Sequence, residues 1–326
     1  MQEAMINKAK QLLADGTVNR VMGWKRGEFV YDITPAVFET AEEIDADFVC
    51  DDFTAANVSK YLVKESRKEG KILAFLKPCD TYSFNQLVKE HRIVRENVYV
   101  VGIPGGPKLD AEKIKAKGIT GILGVKNENG TLRIETLYGE ETMPYYEAIL
   151  GKCETCKSRK HVVYDELIGE EGEVITAEDS GRFDMVEKLE NMTAQERYDF
   201  WREQLSKCIR CNACRNVCPA CTCENCVFDN PASGISNKAA ADSFEENMFH
   251  IIRAFHVAGR CTDCGECSRV CPQNIPLHLL NRKFIKDINA FYGEYQAGED
   301  TTSRAPLNNY DKDDCEPSIV HERGVE

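Results

Sequence analysis

A cysteine run that occurs twice between residues 208 and 272 constrains this chain more than any other feature. Each copy has the spacing C-x2-C-x2-C-x3-C-P. The cysteines are Cys208, Cys211, Cys214 and Cys218 in the first copy and Cys261, Cys264, Cys267 and Cys271 in the second. Three cysteines this close together can wrap three irons of one cubane, whereas the cysteine before proline points away from it. A zinc site takes two C-x2-C pairs and uses neither a third cysteine nor a proline. The repeat therefore favours two [4Fe-4S] clusters over zinc.

The same spacing predicts which cysteines share a cluster. In a two-cluster ferredoxin with this pattern, the fourth cysteine of each copy ligates the cluster of the other copy. The predicted ligands of the first cluster are Cys208, Cys211, Cys214 and Cys271. The predicted ligands of the second cluster are Cys261, Cys264, Cys267 and Cys218. This crossing makes the two clusters neighbours, which suits them to passing single electrons.

Length and charge narrow the possible classes of function. The chain has 326 residues, enough for two or three domains, and its 42% of apolar residues can form a folded core. Its formal net charge of −13 argues against nucleic acid or an anionic membrane surface as the main partner. Apolar runs such as residues 72–76 are too short to span a bilayer, and the first residues lack a signal-peptide pattern.

The cysteine content indicates a reducing compartment. The chain has 16 cysteines, which in a secreted protein would suggest disulfides. Here the spacing explains eight of them as cluster ligands, and thiolate ligands must be reduced and deprotonated. We therefore expect a cytoplasmic protein, in a host that lives without oxygen.

Residues 1–150 alternate between strand-like and helix-like patterns, which predicts an α/β domain with a mostly parallel sheet. The predicted helices are 2–15, 55–68 and 81–91, the predicted strands are 47–51, 71–76 and 97–103, and the predicted hairpins are 18–38 and 119–139.

Two loops follow strands of this predicted sheet and are candidates for a cofactor site. The first is Lys77-Pro78-Cys79-Asp80, and the second, residues 102–107, contains Gly102, Gly105 and Gly106. Ligands of open α/β sheets bind at the carboxyl ends of the strands, and glycines let a backbone approach a flat cofactor closely. Two ordinary Pro/Gly turns explain the composition equally well. The chain has no G-x-G-x-x-G motif, so a Rossmann nicotinamide or flavin site is not supported.

The rest of the chain predicts a helical module around the cysteine runs. A connecting segment, 151–200, contains a C-x2-C pair and ends in a capping box at Thr193 and Glu196 that opens a helix leading to Cys208. A second helix, before Cys261, has the predicted apolar face Phe244, Met248, Ile251, Ile252 and Phe255. A third helix, from Pro276, has the predicted apolar face Leu277, Leu280, Phe284, Ile288 and Phe291.

The predicted class is therefore α+β. An N-terminal α/β domain precedes an α-helical dicluster ferredoxin domain at 201–295, and residues 296–326 form an extended acidic tail.

The remaining cysteines suggest a third metal site. Cys153 and Cys156 form one C-x2-C pair, and Cys223 and Cys226 form another, with Cys221 placed to substitute for Cys223. Two such pairs supply four thiolates, enough for a third [4Fe-4S] cluster or for one zinc, and the neighbouring cluster runs favour iron-sulfur. Cys50 and Cys315 are interpreted as ordinary thiols.

Arginines also flank the cysteine runs. Arg210, Arg215, Arg260 and Arg269 lie within a few residues of cluster cysteines. They serve either surface solubility or the compensation of negative charge on thiolate-ligated cubanes.

These motifs resemble the beta subunits of deazaflavin-coenzyme (factor-420) hydrogenases and formate dehydrogenases, in the longer form with an appended dicluster ferredoxin module. The residues that carry the resemblance are Lys77 to Asp80, Gly102-Ile103, Cys153-x2-Cys156, the run from Cys208 through Cys218, Cys221 and Cys223 to Cys226, Arg253 to Cys261, and Cys271 to Leu277. The resemblance covers nearly the whole chain and is most specific from Cys153 onward.

The resemblance implies FAD in the N-terminal domain, beside a [4Fe-4S] cluster. It also implies partner subunits of the formate dehydrogenase, hydrogenase or heterodisulfide-reductase-like kind, with ferredoxin as a further candidate. The chain departs from the family at Gly105, where family members often have a cysteine.

We therefore expect an electron-transfer subunit of a multisubunit oxidoreductase, passing electrons between FAD and a partner through [4Fe-4S] clusters. No side chain is predicted to act as a general base or nucleophile, because the flavin supplies the reactivity. The alternative is a flavin-free iron-sulfur conductor whose N-terminal domain is only a scaffold.

Overall fold

A computed structural model describes residues 1–173, 176, 179–230 and 243–308. In the first half the helices are α1 (Gln2–Ala14), α2 (Ala41–Asp47), α3 (Leu62–Glu65), α4 (Pro78–Lys89), α5 (Ala111–Ala116) and α6 (Gly151–Glu154). The strands are β1 (Arg20–Arg26), β2 (Ile33–Phe38), β3 (Ile72–Leu76), β4 (Val98–Gly102), β5 (Ile122–Glu128), β6 (Thr131–Thr136), β7 (Gly139–Pro144) and β8 (Glu166–Leu167). The later helices are α7 (Asp184–Glu190), α8 (Ala194–Leu205), α9 (Ala213–Val217), α10 (Ser243–His256), α11 (Glu266–Arg269) and α12 (His278–Tyr292). Helices and sheets are both present, as an α+β chain requires.

The main sheet has five strands in the order β2-β1-β3-β4-β8. β1 and β2 form the predicted antiparallel hairpin, and the pairings β1–β3, β3–β4 and β4–β8 are parallel. All five residues of β3 are buried, which is typical of a strand covered on both faces. The carboxyl ends of β3 and β4 therefore meet at one edge of the sheet, where the sequence predicts a cofactor site. We call this the cofactor edge.

Several predicted boundaries in this half are wrong. Residues 47–51 form no strand and contribute only a bridge between Lys25 and Phe48. Of the predicted helix 55–68 only α3 is helical. Predicted helix 81–91 begins earlier, at Pro78, because proline is favoured in a first turn. Pro78, Cys79 and Asp80 are therefore the first turn of α4, not a loop.

The second sheet is a three-stranded meander, β5-β6-β7. Asn129 and Gly130, at the β5–β6 turn, have φ values of 53° and 87°, which a tight hairpin turn requires at its two central positions. The predicted hairpin 119–139 is thus correct but continues into a third strand.

The helices around the cysteine runs bury only part of the faces predicted for them. The capping box of α8 forms as predicted, with Thr193 accepting from the Glu196 backbone. On α10, Met248 and Phe255 are exposed, whereas Phe249 is buried. On α12, Phe291 is 79% exposed and Ile285 is buried. Leu277 and Ile288 are buried as predicted. The buried faces also include polar residues that turn toward the cysteine loops, which the apolar period alone did not predict.

The chain after α12 returns to the N-terminal half. Residues 296–298 are buried, and a Cβ at Gly298 would lie 1.9 Å from the carbonyl oxygen of Tyr82 in α4. This part of the predicted tail therefore packs on its own chain. Cys315 and the rest of the tail from residue 309 lie outside the described residues. Within the described part of the chain, every helix is too short or too polar to cross a membrane.

Candidate iron-sulfur site

The four cysteines predicted for the first cluster surround one small cavity. Cys208, Cys211, Cys214 and Cys271 line a space of about 20 Å³, together with Phe249 and Ile275. Cys214 is buried, and burial raises the pKa of its thiol to about 11. Cys211 is exposed, so this cavity lies next to the protein surface.

The structure also brings together the four cysteines predicted for the second cluster. Burial raises the pKa of the thiols of Cys261, Cys264 and Cys267, and the charge of the neighbouring Cys218 raises each of them further. A hydrogen bond with Cys221 lowers the pKa of the Cys218 thiol itself. Cys218 thus follows the first run in sequence but lies with the second run in space, which is the crossed arrangement.

The two runs have the same backbone shape. The residues two and four positions after the first cysteine are left-handed in both runs: Arg210 and Asn212 in the first, Asp263 and Gly265 in the second. This conformation turns backbone amides toward the sulfurs, and the Arg210 N–H donates to Cys208 Sγ at 3.4 Å. Amide hydrogen bonds of this kind stabilise thiolate-ligated clusters.

At Gly265 the space around the backbone also excludes a side chain. A Cβ at this position would lie 2.4 Å from Cβ of Lys152. A side chain would therefore be excluded by contact as well as by the φ of 68°.

Two buried carboxylates hold the second cysteine run in place. Asp263 accepts from Arg182 Nε at 2.7 Å and from Arg282 Nε at 2.9 Å. Glu266, fully buried, pairs with Lys152 and Arg269. Burial would raise the pKa of both carboxyls, but the paired cations hold these pKa values well below their usual range.

These ion pairs also fix the segment that contains Cys153 and Cys156. Lys152 pairs with Glu266, and Thr155 accepts a hydrogen bond from Arg282 Nη1 at 2.7 Å. The C-x2-C pair is therefore held against the second cysteine run at both of its ends.

Cys79 is a neighbour of this C-x2-C pair. Burial raises the pKa of its thiol, and the charges of Asp80 and Cys156 raise it further. Burial alone would lower the pKa of the Lys152 ammonium. The neighbouring Glu266 and Cys79 raise this pKa by more than burial lowers it, so the pKa of Lys152 lies above its ordinary value. Cys79, Cys153 and Cys156 therefore form a group of thiols around one buried ammonium.

Cys223 and Cys226 have different neighbours. With Cys221 they line a cavity of about 870 Å³, whose lining also includes Lys60 and Tyr61. Lys60 Nζ donates to the carbonyl oxygen of Cys221 at 2.8 Å. The contacts of the described residues thus associate Cys153 and Cys156 with Cys79, and not with the second pair predicted for the third cluster.

The donor sets fit cubanes better than single ions. Over the described ranges, no three His, Cys, Asp or Glu side chains are gathered closely enough to hold one metal ion. A zinc ion holds its sulfurs at about 2.3 Å, so they nearly touch each other, whereas the four ligands of a cubane are spread over its corners. The four-cysteine sets therefore suit [4Fe-4S] clusters.

Known proteins share both parts of this chain. The 4Fe-4S dicluster domain family matches residues 204–275. The F420-dependent formate dehydrogenase subunit beta of Methanocaldococcus jannaschii is 25% identical over 358 residues, covering 93% of this chain and 93% of the relative. The F420-dependent formate dehydrogenase 1 subunit beta of Methanococcus maripaludis is 25% identical over 285 residues, covering 67% of this chain and 72% of the relative. The chain is therefore similar to F420-related beta subunits over nearly its whole length and contains a match to the dicluster domain family.

The chain is also similar to part of a solved structure. A chain of the F420-reducing [NiFe] hydrogenase complex from Methanosarcina barkeri is 14% identical, with a TM-score of 0.38, covering 47% of this chain and 58% of that chain. The matched domain and the formate dehydrogenase relatives together support an iron-sulfur oxidoreductase subunit.

The predicted cofactor edge of the main sheet is only partly accessible. Lys77 Nζ lies 2.8 Å from Asp80 Oδ2 and 4.3 Å from the Trp24 ring centroid, and both charged side chains are buried. Gly105 packs beside Pro78, where a Cβ would lie 3.0 Å from the ring, and Gly106 faces open space. The exposed part of the edge is therefore the glycine loop beside the first turn of α4.

His161 completes this edge and was not predicted. Its Nε2 lies 3.1 Å from the Leu76 carbonyl oxygen and 3.0 Å from that of Ile103, which follow β3 and β4. Its Nδ1 lies 3.0 Å from Glu171 Oε2. A Cβ at Gly102 would lie 3.1 Å from the His161 ring, so this glycine makes room for the histidine. A single histidine between two turns has no spacing that could have marked it.

Proposed function

We propose that this beta subunit passes electrons between a flavin and a partner subunit of a larger oxidoreductase through [4Fe-4S] clusters. The observation that carries the proposal is the crossed grouping of cysteines, with Cys218 among Cys261, Cys264 and Cys267. A bound FAD would supply the exchange between two-electron hydride chemistry and single electrons.

The cysteine groups follow one another in space. Cys79, on the first turn of α4, lies with Cys156 at the sheet edge, and Cys156 is clamped against the second run. Cys267 of the second group is a charged neighbour of Cys214 in the first group. Beyond Cys214, Cys211 and Ile209 are exposed, Ile209 by 62%. This order supports conduction between the sheet edge and a partner that docks at Ile209.

We further propose that Cys79, Cys153 and Cys156 hold the third cluster. This revises the predicted set with Cys223 and Cys226. The proposal rests on the shared neighbours of the three thiols, which include buried Lys152. A buried ammonium at this place offsets the negative charge of a thiolate-ligated cubane.

The sheet edge suits an anionic flavin nucleotide. The 12-residue helix α4 begins at this edge, and a helix N-terminus favours negative charge. The open space at Gly106 lets the loop backbone approach a flat ring. Lys77 and Asp80 would act from behind this surface, since their ion pair fixes the first turn of α4.

The test is the cofactor content of protein purified without oxygen. Three clusters require roughly twelve irons per chain, at about four per cubane, and the flavin proposal requires one FAD released on denaturation. Full iron without FAD would favour the flavin-free conductor. Zinc in place of iron would contradict the proposal altogether.

Partners are proposed from the names of the relatives. We expect subunits of the formate dehydrogenase, hydrogenase or heterodisulfide-reductase-like kind, with ferredoxin as a further candidate and a cytoplasmic location. Co-purification of the tagged chain from its native cells checks this expectation. Recovery of the chain free of any oxidoreductase subunit would contradict it.

A further inference from the structure

Arg253 lies between the two predicted clusters. Its side chain is buried, with 2% of the residue exposed, and its Nη2 donates to the carbonyl oxygen of Cys214 at 3.1 Å. It also lies within hydrogen-bonding reach of the Cys267 sulfur. One guanidinium thus contacts a cysteine of the first cluster group and a cysteine of the second.

Among the described residues, Arg253 has no carboxylate partner for its charge. Among the residues that the structure describes, no Asp or Glu forms an ion pair with it, and its Nε has no hydrogen-bond partner. Its electrostatic neighbours are the sulfurs of Cys218, Cys267, Cys214 and Cys221. A buried cation is costly unless an anion compensates it. The anions available here are the two thiolate-ligated clusters themselves.

We propose that Arg253 raises the reduction potentials of both clusters above those of a chain without this charge. Each cluster becomes more negative by one charge when it gains an electron, and a positive charge beside it favours that state. The inference rests on the two predicted clusters but not on FAD or on the third cluster.

Arg253 affects the reduction potentials of the two clusters in different ways. At the second cluster it acts through its charge and through a hydrogen bond to a ligand sulfur, Cys267. At the first cluster its hydrogen bond goes to a backbone oxygen, so the charge acts there without a bond to sulfur. Removing the charge should therefore lower both potentials, and removing only the hydrogen-bond geometry should lower that of the second cluster.

The experiment compares Arg253→Gln and Arg253→Lys by redox titration of the full chain, followed by electron paramagnetic resonance. The glutamine variant should show both midpoint potentials shifted downward. The lysine variant should return the first cluster to its wild-type potential and leave the second cluster lower than wild type. Arg202→Gln removes one positive charge from the exposed face of α8 and should shift neither potential.

Each outcome of these titrations either supports or overturns the proposed role of Arg253. Wild-type potentials in the glutamine variant, at full iron content, would overturn the proposal. If that variant retains no iron, the lysine variant decides: a wild-type potential at its second cluster would equally overturn the proposal. Fewer than roughly eight irons in the wild-type chain would refute the two-cluster assignment instead, so the two failures can be told apart.

Discussion

At the scale of single residues, Cys218 decides how the two cysteine runs are connected. It is the last cysteine of the first run, but its charged neighbours are Cys261, Cys264 and Cys267. Ligation should follow these neighbours, because a cluster is held by the sulfurs that surround it and not by sequence order.

Replacing Cys218 should therefore damage the second cluster and spare the first. In Cys218→Ser we expect the resonance signal of one cluster to be lost and that of the cluster held by Cys208, Cys211, Cys214 and Cys271 to remain. Electron paramagnetic resonance of the reduced protein checks this, with Cys50→Ser as the control because Cys50 belongs to neither group. Loss of the signal of the first cluster alone would contradict the crossed arrangement.

Cys79 provides a second test at this scale. If it is a ligand of the third cluster, Cys79→Ser should remove up to about four irons per chain. Cys223→Ser should leave the iron content unchanged, because Cys223 does not share neighbours with Cys153 and Cys156. Iron analysis of the two variants, side by side, distinguishes the revised ligand set from the predicted one. Loss of iron only in the Cys223 variant would restore the earlier set.

The residues that surround the sulfurs show the limit of reading the sequence. The ligands could be predicted because cubane chemistry requires a spacing that chance rarely produces. Arg253, Lys152 and His161 could not, since each acts alone and meets its partners only in three dimensions. The same holds for Cys79, which the sequence assigned to a cofactor loop and the structure places beside Cys156.

At the scale of elements, buried ion pairs hold the second cysteine run against its neighbours. Asp263 connects this run to Arg182 and to Arg282 on α12, and Glu266 connects α11 to Lys152 on α6. Helix boundaries near these pairs were predictable from capping residues and prolines. The buried faces of α10 and α12 were not, because polar side chains on these helices point inward.

Asp263→Asn should lower the free energy of unfolding by about 3–5 kcal/mol. The change leaves two buried guanidinium groups without a carboxylate, while asparagine still accepts the left-handed backbone. Chemical denaturation of the cluster-loaded protein measures the loss. Asp287→Asn is the control, since its pair with Lys283 is exposed and contributes little. Equal stability of the two variants would contradict this role of Asp263.

The same carboxylate predicts a dependence on pH. The pKa of Asp263 is lower in the folded chain than the ordinary value of 3.8 because Arg282 and Arg182 outweigh its burial. Its contribution is therefore complete above about pH 3.8 and is lost as the pH falls through the folded pKa. Acid unfolding of Asp263→Asn should accordingly show a weaker pH dependence than that of the wild type.

At the scale of the whole molecule, the N-terminal half and the ferredoxin module share an interface. Arg260 forms two hydrogen bonds with Glu90 on α4, at 2.7 and 2.6 Å. Ser83 and Thr262 hydroxyls lie 2.9 Å apart across the same interface. Contacts between elements so distant in sequence cannot be read from local patterns, which is why only the two halves, and not their docking, could be predicted.

A double-mutant cycle on Glu90 and Arg260 should give a coupling free energy of about 1–3 kcal/mol. The pair is bidentate and mostly buried, so its charges are poorly screened. The exposed pair of Arg133 and Glu140 should couple much more weakly. The cycle uses thermal unfolding of Glu90→Gln, Arg260→Met and the double variant. Additive effects at the interface would indicate that the two halves unfold independently.

The proposed exchange of cysteines between the two runs has a consequence for biosynthesis. While the ribosome is still translating the chain, Cys208, Cys211 and Cys214 exist before the sulfur of Cys271 that completes their set. Cys218, in turn, waits for a run that begins at residue 261. Iron insertion must therefore follow the synthesis of Cys271. A nascent chain halted before that point exposes cysteines without a cluster, which the cell has to protect.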